Sequence, residues 1–183
     1  TIVRVEKSLG SADVLRAMSD YITRDFFVIA GDLVCESLFQ QLANTHRLNN
    51  ASMTMTLQLT SNAPLSATKR KAKRGAAPSP IQKKPVREIV GLEAQQAGRS
   101  GTSGGDPRGS RRVLCVIEDP GKEQKFKLPK SLLRRVPAMT IHSDVEDMHL
   151  YLFSNWIIRL LTKGTEIHSI KKDLVPFLVH RQF

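Results

Sequence analysis

The first 59 residues alternate between strand-like and helix-like patterns, and this alternation limits the folds open to the chain. Ile2–Val5 reads as a short strand, and the residues after Ser11 place apolar side chains on one helical face. Asp25–Ala30 is a nearly continuous apolar run, typical of a strand covered on both faces. A helix that begins near Ser37 and a strand over Met53–Leu59 follow. This order predicts an α/β fold with right-handed crossovers and a mostly parallel, mixed sheet.

A basic segment with few large apolar side chains follows, from Thr60 to Ser110. It contains KRKAKRG and GRSGTSGGDPRGS, and the stretch from Leu65 to Arg112 holds 12 lysines and arginines against 3 acidic residues. Such a segment buries too little surface to offset the entropy lost on ordering. We therefore predict a long disordered insertion over residues 60–110. It carries most of the net charge of +11 and separates residues 1–59 from 111–183, the two halves of one domain.

The second half mixes strands and helices. Val113–Glu118 and Glu123–Leu128 flank a Pro-Gly turn and predict a hairpin. Ser154 can cap a helix that ends at Gly164 in a left-handed conformation. The other predicted elements are a helix over Lys130–Arg135, strands over Met139–Ile141 and His149–Phe153, a helix over Trp156–Thr162, and a last helical stretch that opens at Ser169 and is kinked or restarted at Pro176.

Two turns of small residues are candidates for a nucleotide site. Leu9-Gly10-Ser11-Ala12-Asp13 runs into a helix N-terminus, where free amides can face a phosphate or a base edge. Gly31 and Asp32 follow the apolar strand at its carboxyl end, where ligands collect in open α/β sheets. Asp32 can hold a magnesium ion that bridges phosphates. The structural alternatives are a tight strand-to-helix turn at the first position and a helix-capping aspartate at the second.

Three other polar groups have a functional and a structural interpretation. Asp144, Glu146, Asp147 and His149 precede a predicted strand and can supply a second metal ligand or an acid, but an acidic solvated turn is favoured. The basic tract Lys69–Arg74 can bind RNA through phosphates. It lacks interleaved aromatic residues for base stacking, so a solvated loop is favoured. No histidine has a ligand spacing or a plausible nucleophile as its neighbour, and no catalytic residue is assigned.

Hydropathy and cysteine usage indicate the environment of the chain. No apolar run approaches the roughly 20 residues that cross a bilayer, and no secretory signal opens the sequence. We therefore expect a soluble protein with no membrane partner. Cys35 and Cys115 lie far apart in unlike contexts, which indicates buried thiols in a reducing compartment rather than a disulfide or a metal pair.

Taken together, these pieces resemble a known family. Leu9–Arg16 (LGSADVLR), Asp25–Val34 (DFFVIAGDLV) and Ala51–Met55 (ASMTM) look like sugar-nucleotide pyrophosphorylases. More narrowly, they resemble the pyrophosphorylase-like subunits of the guanine-nucleotide exchange factor for translation initiation factor two. The closing motifs, Asp147–Phe153 (DMHLYLF) and Ser169–Phe183 (SIKKDLVPFLVHRQF), are similar to the gamma type of these subunits. The catalytic epsilon type shares the first-half pattern and is the nearer rival.

The resemblance implies a Rossmann-like nucleotidyltransferase domain, with the first strand and a left-handed β-helix of hexapeptide repeats lying outside this sequence. It implies a vestigial pocket for nucleotide and magnesium at Gly10, Ser11, Ala12, Asp13, Gly31 and Asp32. It also implies pairing with an epsilon-like subunit in a cytosolic assembly that docks initiation factor two, while another polypeptide carries out nucleotide exchange.

The chain departs from the working enzymes in two places. No glycine-rich loop with arginine and lysine precedes Leu9, so we expect this catalytic loop to be missing. Met148-His149-Leu150-Tyr151 stands where the enzymes carry an Asn-Ala-Gly type sequence that admits a sugar. We therefore predict a non-catalytic scaffolding and regulatory subunit. The alternative is an active, magnesium-dependent nucleotidylyltransferase that makes a nucleotide-sugar.

Overall fold

The computed structural model describes Ile2, Arg4 and residues 9–35, 39–59, 88–94, 110–118, 128–164 and 166–183. The helices in these ranges are α1 (Ser11–Ala17), α2 (Phe39–Leu48), α3 (Lys130–Arg135), α4 (Trp156–Lys163) and α5 (Val175–His180), with a 3₁₀ turn at Ser19–Tyr21 and a π-helical turn at Ile170–Leu174. The strands are β1 (Phe26–Ile29), β2 (Met53–Leu59), β3 (Glu88–Glu93), β4 (Val113–Glu118), β5 (Met139–His142) and β6 (Val145–Phe153). None of these helices is long and apolar enough to cross a membrane.

The described strands form two three-stranded sheets. In the first, β6 lies between β1 and β2; in the second, β3 lies between β4 and β5. All four strand pairs in these ranges are antiparallel. The mixture of helices and strands agrees with the predicted α/β class, but the prediction of a mostly parallel sheet is wrong. β1 and β2 do run in the same direction with α2 between them, yet β6 from the C-terminal half inserts between the two strands.

The first sheet is covered by helices on both faces, and β6 shows how the faces divide. Leu150 and Leu152 pack with Leu42 of α2 in a small cluster. Tyr151 and Phe153 point the other way, into the main core formed with α1, α4 and α5. This alternation follows from the two-residue period of a strand. Full burial of a side chain such as Phe153 contributes about 1.5–3 kcal/mol to stability.

β1 is less covered than its apolar sequence predicts. Phe26 and Val28 pack against the main core, but Phe27 and Ile29 stay 39% and 48% exposed. The prediction of a strand covered on both faces is therefore wrong for this strand. α2 covers the outer face only in part, through an edge-to-face contact between Phe27 and Phe39 with ring centroids 5.6 Å apart.

β3 lies inside the segment predicted to be a disordered insertion. Val90 in β3 is only 1% exposed, and β4 and β5 pair with the strand on its two sides. The prediction of disorder is wrong for Glu88–Glu93, since the backbone of this short apolar patch pairs with two strands from later in the chain. Several predicted features lie outside the described residues. These are the rest of the insertion (60–87 and 95–109), Val3 and Val5 of the first predicted strand, Ser37, and residues 119–127 of the predicted hairpin.

The ends of the C-terminal helices test the capping predictions. Asn155, not Ser154, is the residue before α4, so the predicted N-terminal cap is wrong. Gly164 does end the helix as predicted, but its φ of −102° is not the predicted left-handed conformation. The Ser169 hydroxyl does accept a hydrogen bond from the Lys172 amide (3.2 Å) and opens the π-helical turn. The predicted restart is confirmed, because α5 begins beside Pro176.

Candidate functional site

The N-terminus of α1, where the first predicted nucleotide residues lie, is hydrogen-bonded to the C-terminal segment of the chain. The Ala12 amide donates to the His168 carbonyl (2.9 Å), and the Ser11 hydroxyl accepts from the Ile170 amide (2.9 Å). The Gly10 amide donates to Asp13 Oδ2 (3.1 Å). A Cβ at Gly10 would lie 2.1 Å from the His168 carbonyl oxygen, so this close approach requires glycine.

Asp13 is the centre of a charged cluster at this contact. Its carboxylate accepts from Arg16, and its two oxygens lie 3.0 and 3.2 Å from Nδ1 of His168. The hydrogen bond with His168, aided by those from Gly10 and Arg16, holds the pKa of Asp13 below its ordinary value of 3.8, against the opposing effect of burial. Asp13 therefore stays ionised at neutral pH. Its contribution to stability is complete above that value and is lost as the pH falls through the folded-state pKa.

Arg16 extends the same contact toward the end of α4. Its Nε donates to the Leu161 carbonyl (2.8 Å), and its Nη2 donates to the carbonyls of Gly164 (2.8 Å) and Ile167 (3.0 Å). The planar guanidinium can donate in several directions at once, which suits it to carbonyls at a helix end. Arg16 therefore fixes the loop after α4 against α1.

Gly31 and Asp32 lie in an exposed turn directly after β1. A Cβ added at Gly31 would meet nothing within 4 Å. Among the described residues, no hydrogen bond or ion pair joins this turn to Gly10–Asp13. The two halves of the predicted pocket thus have different neighbours, and the nucleotide and magnesium site remains a prediction.

A bulge in β6 adjoins that turn, because the His149 carbonyl accepts from the Ala30 amide (3.2 Å). His149 has φ 55°, a left-handed conformation that non-glycine residues adopt rarely. Asp147 accepts from the Tyr151 hydroxyl and from the His149 amide (2.9 Å). Only 5% of Asp147 is exposed, so the interpretation as an acidic solvated turn is wrong for this residue. The sequence indicated the contact between Asp147 and Tyr151 through their spacing of four, because residues four apart in a strand lie on the same face.

His46 forms a second polar network that sequence reasoning missed. Its Nδ1 lies 2.9 Å from the Thr54 hydroxyl and its Nε2 lies 3.1 Å from the Ser154 hydroxyl. The Ser154 hydroxyl donates to the Ala51 carbonyl (2.8 Å), so the network assigns the ring proton to Nε2. The serine proton points away from the histidine, so this arrangement links α2 to β2 and β6 and does not form a nucleophile and its base.

The buried position of His46 predicts a pH dependence. Burial lowers the pKa of His46 below its ordinary value of 6.5, against a weaker opposing effect of Asp25. The unfolded chain binds a proton more readily, so stability is complete above about pH 6.5 and is lost as the pH falls. We expect a loss of up to about 1.4 kcal/mol per pH unit from this group in urea unfolding series. His46→Gln should flatten this dependence, whereas His180→Gln at an exposed position should preserve it; equal slopes in all three proteins would contradict the assignment.

Metal-ligating residue types are dispersed in the part of the chain that the structure describes. There, no group of three or more His, Cys, Asp or Glu side chains is placed to hold a metal ion. Cys35 and Cys115 are partly buried free thiols, and burial raises the pKa of Cys115. The tract Lys69–Arg74, predicted as a solvated loop or an RNA contact, lies outside the described residues.

The described residues thus form a mixed α/β domain. In this domain, Ser11 and Ala12 of the predicted pocket are hydrogen-bonded to residues 168–170 of the same chain. No protein-family model matches the chain. The chain is 26% identical to "Translation initiation factor eIF2B subunit gamma" of Dictyostelium discoideum, over 97% of this chain and 38% of that protein. It is 25% identical to the proteins of the same name from Schizosaccharomyces pombe (98% of this chain, 34% of that protein) and Caenorhabditis elegans (97% and 38%).

These relatives confirm the resemblance to the gamma type of subunit that the closing motifs indicated. The similarity extends over nearly the whole chain, including residues 1–59, residues 111–183 and the basic segment between them. The chain spans little more than a third of the length of these curated relatives.

Proposed function

We propose that this chain is part of a non-catalytic scaffolding and regulatory subunit of the guanine-nucleotide exchange complex for translation initiation factor two. The observation that carries the proposal is the similarity, over 97–98% of the chain, to three proteins named as gamma subunits of initiation factor eIF2B. The proposed partners are an epsilon-like subunit and initiation factor two, and the proposed compartment is the cytosol.

The interactions at the N-terminus of α1 support a role without catalysis. The amide of Ala12 and the hydroxyl of Ser11 are bonded to residues 168–170, so they are engaged by the protein and not free for a nucleotide phosphate. Asp32, the proposed metal ligand of the alternative function, lies in a separate exposed turn. In this proposal the domain contributes its surfaces to an assembly, and another subunit accelerates nucleotide exchange.

Co-purification and an exchange assay test the proposal together. The tagged full-length protein is isolated from cells, and GDP release from initiation factor two is measured with the isolated complex and with the protein alone. We expect an epsilon-like subunit and the initiation factor in the complex, and accelerated GDP release by the complex only. Recovery of neither partner would exclude the proposal.

A pyrophosphate-release assay tests the enzymatic alternative. An active nucleotidylyltransferase would release pyrophosphate from a nucleoside triphosphate and a sugar phosphate in the presence of magnesium. We expect no such release from the full-length protein. Turnover that is lost in Asp32→Ala but retained in Asp20→Ala, a matched change at an exposed aspartate of the 3₁₀ turn, would establish the enzyme instead.

A further inference from the structure

A groove of about 1360 Å³ follows the strand β2, and we call it the β2 groove. It is lined by Ala51–Leu57, by residues of α2 on one side, and by Ser110–Val113 and residues 178–182 at the end of α5 on the other. We propose that the β2 groove binds an extended acidic segment of a partner protein, which adds to the first sheet as a strand beside β2.

The two sides of the groove belong to opposite faces of the first sheet. α2 packs on one face of β6 through Leu42, whereas Val113 and Leu178 pack against the main core on the other face. Successive residues of Ala51–Leu57 line the groove, although alternate side chains of a strand point to opposite faces. The groove therefore passes along the edge of β2. Within the described sheet, this edge has no neighbour, because β2 pairs only with β6.

β2 lacks the features by which edge strands usually avoid further pairing. Short length, charged side chains and proline are common protections of such strands. The seven residues of β2 (MTMTLQL) include no charged side chain and no proline. β2 is also the longest of the four edge strands in the described sheets. Its backbone groups therefore form an edge to which a peptide strand can be added.

The charge of the β2 groove argues for an acidic segment. Arg111, Arg112 and Arg181 line the groove, and Glu93 is the one acidic residue among its described lining residues. Within the described part of the chain, none of these four residues forms an ion pair. A groove with this excess of positive charge attracts carboxylates and orients them during encounter.

Two of these arginines are held in place by aromatic rings while they remain exposed. The Arg112 guanidinium lies 5.2 Å from the centroid of the Phe183 ring, and its Nε donates to the Gln182 side chain (2.7 Å). The Arg181 guanidinium lies 5.0 Å from the centroid of the Phe177 ring. Side chains that are already ordered lose less conformational freedom when they bind a ligand, so they favour binding.

Other occupants fit the β2 groove less well. Trp156, which is 46% exposed, is the one aromatic side chain among the described lining residues, so successive bases of RNA have no row of stacking partners. A strand edge is matched by the regularly spaced amides and carbonyls of a peptide, which a sugar-phosphate backbone lacks. The segments 60–87 and 95–109 of this chain carry net positive charge, so the arginines of the groove repel them. Trp156 is instead suited to anchor an apolar side chain of the added strand.

Fluorescence anisotropy with a defined probe tests this proposal on the full-length protein. The probe is a labelled 12-residue peptide of alternating glutamate and valine, which is long enough to span β2. The comparison peptides are its lysine–valine counterpart and a glutamate–valine form with N-methylated amides on one edge. We expect binding of the unmodified glutamate–valine peptide alone, weakened by salt. We also expect slowed hydrogen exchange of amides within Met53–Leu57 when it binds.

Matched variants distinguish the β2 groove from a general effect of charge. The double substitution R112E/R181E should weaken probe binding about tenfold, because two attractions become repulsions. R159E/K163E changes the net charge equally at two exposed cations of α4 outside the groove lining, and it should leave binding unchanged. Circular dichroism checks the fold of both variants.

Four results would overturn the proposal. They are equal affinity of the two double variants, unchanged hydrogen exchange within Met53–Leu57, equal binding of the N-methylated peptide, and tighter binding of a 12-nucleotide oligouridine in the same groove. None of these results depends on the proposed role in nucleotide exchange, so this inference and that role can fail separately.

Discussion

Replacing Lys171 with methionine is expected to lower the free energy of unfolding by about 2–3 kcal/mol. The Lys171 ammonium contacts the carboxylate of Glu88, which is only 6% exposed. Removing the cation leaves that carboxylate desolvated and without this ion pair. The expected loss lies at or just below the range of about 3–5 kcal/mol for removing one partner of a fully buried pair, because 24% of the Lys171 side chain remains exposed.

Urea unfolding of the Lys171→Met and Lys172→Met variants measures this effect against a matched control. Lys172 follows in the same π-helical turn but is exposed, so its replacement should change stability by less than about 0.5 kcal/mol. Adding Glu88→Gln to Lys171→Met removes the orphaned charge and should recover part of the loss. Equal stability of the two single variants would show that the ion pair does not hold β3 against the C-terminal segment.

Replacing Arg16 with methionine should destabilise the protein by about 3 kcal/mol. The side chain donates to three carbonyls, those of Leu161, Gly164 and Ile167, and to the carboxylate of Asp13. A methionine of similar length keeps the packing of the aliphatic stem but leaves these acceptors without their donor. The same change should speed hydrogen exchange locally at Gly164 and over residues 166–170.

Two comparisons make the Arg16 prediction specific. Arg16→Lys keeps the charge but loses the planar fork of donors, so its stability should fall between those of the wild type and Arg16→Met. Arg47→Met, at an exposed position near the end of α2, should have little effect. Wild-type stability in Arg16→Lys would mean that charge alone, not the geometry of the guanidinium, holds the loop.

Sequence patterns predicted individual elements well where the signal was local. The alternation over Met53–Leu59 and the predicted helix over Lys130–Arg135 match β2 and α3 residue for residue. Strand pairing was predicted poorly, because a neighbour in a sheet is chosen by contacts that no sequence window contains. β6 separates β1 from β2, although it follows β2 by almost ninety positions in the chain.

In the candidate site, too, local sequence predicted the residue types but not their partners in the fold. The composition of Gly10–Asp13 suggested either a phosphate-binding turn or a tight structural turn, and local sequence does not distinguish the two. In the fold, the Ala12 amide donates to the His168 carbonyl. The Ser11 hydroxyl accepts from the Ile170 amide, 159 positions away. No local sequence pattern indicated the polar network of His46, because its partners Thr54 and Ser154 are ordinary polar residues in the sequence.

The amino-acid sequence alone determined the α/β content, most of the helices and strands, the basic segment and the resemblance to gamma-type subunits. Each of these depends on patterns among residues that are neighbours in the chain. The tertiary structure alone decided the antiparallel direction of both sheets, the inclusion of β3 and the engagement of the α1 N-terminus by residues 168–170. The physical reason is that hydrogen bonds and burial are satisfied between residues that meet only in the folded chain, as Arg16 and Leu161 do across 145 positions.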